Sequence, residues 1–181
     1  MPDDIARLIA EFRRRGSAAS LAWKLGIVMD LERFAEGRIV PFLVEVLVDR
    51  RQPTEVRTHL LKRIRNGGIR PEENGRVAAA LISLLDETSP ADLRTHVVLA
   101  LGALTDVGGV LTVLGSIALD ESAPVDLRYI AFTSLERAGP TEHSIAVLRT
   151  LAHDETLGRT ARSTLLAWRV AQETSDDNDD D

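Results

Sequence analysis

The sequence predicts an all-α chain: an α-solenoid of about five antiparallel helical hairpins, followed by an acidic, disordered C-terminal tail. Three observations carry that expectation. A short segment recurs four times along the 181 residues, and apolar side chains flank each copy at three- and four-residue spacing. The 44% hydrophobic content comes chiefly from Leu, Ala, Val and Ile, with aromatics at only 4%, a mixture suited to packed helices.

The recurring segment is VDRRQPTEVRTHLL (48–61), LDETSPADLRTHVV (85–98), LDESAPVDLRYIAF (119–132) and HDETLGRTARSTLL (153–166). Its aspartates, Asp49, Asp86, Asp120 and Asp154, stand 37, 34 and 34 residues apart. Eight residues after each comes an arginine: Arg57, Arg94, Arg128 and Arg162. Pro53, Pro90 and Pro124 follow the first three aspartates by four residues, and Gly158 takes that place in the last copy. A fixed period of this length is the signature of stacked repeats.

Each copy reads as two helices around a turn. Ahead of the aspartate lie Phe42, Leu43, Val46 and Leu47 in one copy, and the thinner stripe Ala79, Ala80, Ser83 and Leu84 in the next. Behind it lie Val56, Leu60, Leu61 and Ile64 in the first copy, and Ala161, Leu165 and Leu166 in the last. These spacings place each set on one helix face. Proline at the start of the second helix costs no hydrogen bond there.

The predicted organisation is a single domain over 1–172, with repeats at 38–66, 71–105, 109–138 and 142–172 and a tail at 173–181. Residues 3–36 form an atypical N-terminal pair (Ile5, Leu8, Ile9, Phe12; then Leu21, Leu25, Val28, Met29) without the Asp–Arg columns. Gly16 and Gly37 are placed to end its helices. Trp23 and Trp168, in the first and last pairs, suit end-covering packing better than a ligand cage.

The turn-plus-second-helix string Leu84-Leu85-Asp86…Pro90-Ala91-Asp92-Leu93-Arg94…Ala100-Leu101-Gly102 resembles the HEAT repeat and its bilin-lyase-type relatives. The resemblance covers about 35–172. It implies an α-solenoid in which the Asp and Arg of successive repeats form a ladder between neighbouring hairpins. The turn between Asp and Pro is slightly longer here than in the commonest version. The exact recurrence of the columns independently favours a structural role over a catalytic or anion-binding array, since buried pairing fixes register.

Several function classes drop out. With no cysteine, disulfides, thiolate catalysis and Cys-ligated metal centres are excluded. No Walker, Rossmann or nucleophile-elbow pattern occurs. His59 and His96 occupy equivalent positions on adjacent second helices, but no third ligand sits at metal-binding spacing. Iron-holding enzymes among HEAT-type proteins use His-Glu dipeptides, and the chain has none. No catalytic residue, metal or cofactor is therefore expected.

The net charge of −6 is unevenly spread. Residues 1–80 hold 15 Lys/Arg against 11 Asp/Glu, residues 81–172 hold 7 against 11, and the tail carries six acidic groups. Arg50, Arg51, Arg57, Lys62, Arg63, Arg65, Arg70 and Arg76, set against Asp49, Glu55, Glu72 and Glu73, leave a local excess of four positive charges. A solvated helix face ranks first as its explanation, an acidic protein partner second, and nucleic acid third.

The resulting expectation is a non-catalytic binding or scaffold module for a protein partner, with His59, Arg63, His96, Arg50, Arg51 and Lys62 as the candidate partner face. Nucleic-acid binding through the basic N-terminal half is the alternative. An enzyme-associated subunit, by analogy to the lyases, is a weaker third. An acidic N-terminus and no apolar stretch of spanning length lead us to expect a cytoplasmic monomer without a membrane role.

Overall fold

The computed structural model describes residues 2–34, 39–85 and 90–176. Among these residues the regular elements are all helical, as the aliphatic periodicity predicts, and no strand occurs. They fall into two compact units, Met1–Ala103 and Leu104–Asp181.

In the first unit, α1 (Pro2–Arg15) packs on α2 (Leu21–Glu32), α3 (Val40–Val48) on α4 (Thr54–Arg65), and α5 (Asn74–Leu85) on α6 (Ala91–Leu101). Second helices also adjoin second helices, α2 on α4 and α4 on α6, while α3 adjoins α5. Gly16, with φ +48°, follows the last residue of α1, whose Arg13, Arg14 and Arg15 complement the helix dipole. Phe12 stacks on Trp23 at 6.0 Å and meets Phe42 edge-on at 5.3 Å, joining α1 to both α2 and α3.

Two buried stripes differ from the expected ones. α2 buries Lys24, Ile27, Val28 and Leu31, while Met29 is 53% exposed. Lysine can occupy the inward position because its stem is apolar and its Nζ donates to Gln52 Oε1 at 3.0 Å. α5 buries Val77, Ala78, Leu81 and Leu84, leaving Ala79 and Ser83 exposed. Alignment on the aspartate alone points to the wrong face there, because Val77 and Leu81 carry more apolar surface than the alanines.

The repeated prolines sit one position earlier than expected, as N-caps outside the helix. Pro53, Pro90 and Pro124 all have ψ near 140°. Each offers its carbonyl to two amides; Pro90 O, for example, accepts from Leu93 at 2.9 Å and Arg94 at 3.1 Å. α4 ends in a Schellman arrangement, with Gly67 at φ +78°, Gly68 N–H donating to Arg63 O and Gly67 N–H to Ile64 O, both at 3.0 Å.

In the second unit, α7 (Val110–Leu119) packs on α8 (Val125–Ala138) and α9 (Glu142–Leu151), and α9 on α10 (Gly158–Asp176). Gly115 permits the α7–α9 approach: a Cβ there would stand 2.9 Å from Val147 Cγ2 and 3.0 Å from His143 Nε2. Thr164 Oγ1 donates to Glu136 Oε1 at 2.7 Å and links α10 to α8. α10 continues to Asp176, into the stretch expected to be a disordered tail from 173; extending a formed helix through Gln172 and Glu173 needs no new nucleus. Residues 177–181, and with them the rest of the expected tail, lie outside the described residues. The last stripe also differs, since Ala161 is fully buried but Leu166 is 65% exposed.

Candidate functional site

The repeat columns take their meaning from backbone carbonyls. Arg57 Nε donates to Leu47 O at 2.7 Å and Arg128 Nε to Ala118 O at 3.0 Å, while Arg162 Nη1 donates to Ala152 O. Each arginine therefore reaches ten residues back to the end of the preceding helix, where carbonyls lack helical donors. The aspartates close their own turns: Oδ1 accepts the N–H two residues on, from Arg51 at 3.1 Å, Ser122 at 3.0 Å and Thr156 at 2.9 Å. Both contacts lie within one hairpin.

A rung between neighbouring hairpins is formed by Arg128 Nη2 and Asp154 Oδ2, with side chains only 5% and 9% exposed. Burial pushes the Asp154 carboxyl up, but the Leu157 N–H, Arg128 and the Thr156 N–H together hold it below the usual carboxylate range. Asp49 is used differently. Arg51 Nε donates to its Oδ1 at 2.9 Å and Gln52 Nε2 to its Oδ2 at 2.9 Å, lowering its pKa to about 2 against the cost of burial. Asp120 is also lowered, chiefly by the Ser122 hydroxyl. Asp86 lies outside the described residues, and among the described residues the buried Nε of Arg94 has no acceptor.

The proposed partner-face residues separate into two groups. His59, Lys62 and His96 line one open groove of about 580 Å³ together with Leu25, Thr54, Glu55, Thr58, Asp92 and Thr95. These come from α2, α4 and α6, the three adjoining second helices. Positions 54, 55, 58, 59 and 62 share one face of α4, as 92, 95 and 96 share one face of α6. Burial, reinforced by Lys62 and Arg65 and opposed by Asp92, lowers the His96 pKa, so its ring is neutral at neutral pH.

Arg63, Arg50 and Arg51 lie elsewhere. Arg63 folds over the end of α4, donating from Nε to Gly68 O at 2.9 Å, and its Nη1 stands 3.3 Å from Glu32 Oε1. The same carboxylate meets His59 Nε2 at 3.1 Å. Glu32 is the group that sequence reasoning missed. Its signal was an acid at the last residue of a helix, where the dipole disfavours it unless cations are near. Arg51 is committed to Asp49, and Arg50 is exposed on the same turn.

The basic cluster is extensively paired. Besides Arg51 and Arg63, Arg76 stands 3.2 Å from Glu73 and Arg70 3.8 Å from Glu72. Among the described residues no three His, Asp or Glu side chains gather to hold a metal ion. No helix there is long and apolar enough to cross a membrane. These helices and this groove define an all-helical protein with a mixed-charge open surface. Set against known protein families, curated proteins and solved structures, the chain has no match.

Proposed function

We propose that the chain is a non-catalytic binding module, a HEAT-like solenoid that presents its second helices to a protein partner. The observation that supports this most is the groove over α2, α4 and α6, where Leu25 lies among the carboxylates of Glu55 and Asp92, the ammonium of Lys62 and the polar rings of His59 and His96. Alternating charge around an apolar contact suits a protein surface, which carries both signs. A phosphate backbone would ask for a continuous positive track, and the ion pairs of Arg51, Arg63 and Arg76 neutralise much of the one available. A cytoplasmic monomer is the simplest setting for such a module.

The test is capture of partners by the full-length chain from its native cells, with and without nuclease. Lys62→Glu and Asp92→Arg, both at exposed positions, are expected to weaken capture of the same protein about tenfold without lowering Tm. Capture that disappears with nuclease would replace this reading with nucleic-acid binding. Capture indifferent to both substitutions would remove the groove from it.

A further inference from the structure

The second unit holds a surface that the groove does not involve. Twelve residues after the repeat aspartate stand Leu61, Val98, Phe132 and Leu166, and the first three are 0% exposed while Leu166 is 65% exposed. A position that is core in three copies is therefore open in the fourth. Leu166 borders a depression of about 640 Å³ between α9 and α10, with Leu165 and Trp168 beside it and Arg149, Arg162 and Arg169 around them. Among the described residues no carboxylate lines it.

Arg162 is the counterpart of Arg128. Both hold a carbonyl ten residues back, but Arg128 also reaches Asp154 of the neighbouring hairpin, whereas among the described residues no carboxylate reaches Arg162. We propose that the α9–α10 face docks an acidic amphipathic helical segment of a protein partner, which sets apolar side chains on Leu166 and Trp168 and a carboxylate on Arg162. The Arg128–Asp154 rung shows the same pairing already made within the chain. This docking site is independent of the α2–α4–α6 groove, and Lys62→Glu leaves it intact.

The probe is a fluorescein-labelled amphipathic peptide of Leu and Glu at helical spacing, titrated into the full-length chain by anisotropy. Its controls are the same peptide with Gln for Glu, phosphatidylglycerol vesicles and duplex DNA. We expect saturable binding of the acidic peptide, weakened at least about tenfold by Leu166→Gln and by Arg149→Glu. Both sites are exposed, so Tm is expected to hold. Equal binding of the Gln peptide, indifference to both substitutions, or preference for vesicles or DNA would overturn the proposal. So would a rise in mass with concentration that Leu166→Gln abolishes, since it would make a second copy the occupant.

Discussion

The turns at Asp49 and Asp154 begin from the same three elements: an aspartate that closes its own turn, an arginine eight residues on, and a carbonyl ten residues behind that arginine. They end differently. Asp49 spends its carboxylate on Arg51 and Gln52 of its own turn, and through Gln52 on the buried Lys24 of α2. Asp154 has Thr156 where Asp49 has Arg51, so its second oxygen is left for Arg128 of the preceding hairpin. Asp120, with Ser122 at that place, accepts from the Ser122 amide and hydroxyl, so a free second oxygen alone does not bring in the neighbouring arginine.

Breaking the inter-hairpin rung is expected to have the largest effect. Arg128→Met removes the cation from a nearly buried carboxylate and should lower the urea-unfolding free energy by about 3 kcal/mol. A loss near zero would mean that the turn amides alone satisfy Asp154. Next comes Asp49→Ala, which opens a turn and releases Gln52; about 1 kcal/mol is expected by the same measurement. Arg51→Ala should cost less than Asp49→Ala, because the exposed guanidinium is screened by solvent, although it does most to lower the Asp49 pKa. A loss matching that of Asp49→Ala would show that the pair, not the turn, stabilises this end of α3.

Acid separates the two turns further. The folded Asp49 carboxyl lies at about 2, below its unfolded value of 3.8. It therefore contributes stability above about pH 4 that is lost as pH falls through about 2. Asp154 is shifted in the same direction and loses its contribution over the same side of the scale. Asn at either position should flatten the fall in Tm between about pH 4 and pH 2, and the flattening should survive high salt better at the buried Asp154.

The helices were legible because their breaks are written in residue types. Pro53, Pro90 and Pro124 stand just before α4, α6 and α8, and Gly16, Gly67, Gly109 and Gly139 take positive φ at helix ends. What the arginines hold was not legible, since Leu47 O, Ala118 O and Ala152 O belong to the backbone and leave no trace in side-chain identity. Burial of Lys24 was hidden for a related reason: its acceptor, Gln52, is 28 positions away in a different hairpin. At the groove, equivalence of His59 and His96 placed them on one surface. The half-buried Arg63 was drawn away by Glu32, in the one hairpin without repeat columns.

The arginine clasp has a consequence for how such a chain can change its length. Arg57, Arg128 and Arg162 each fasten the two helices of their own hairpin, and Asp49, Asp120 and Asp154 close the turn between them. A stretch of about 34 residues, duplicated or deleted whole, carries its fastening with it. The contacts between hairpins, among them the Arg128–Asp154 rung, the Lys24–Gln52 bond and the Thr164–Glu136 bond, must find new neighbours, so such a splice would be felt at the boundaries of the copy.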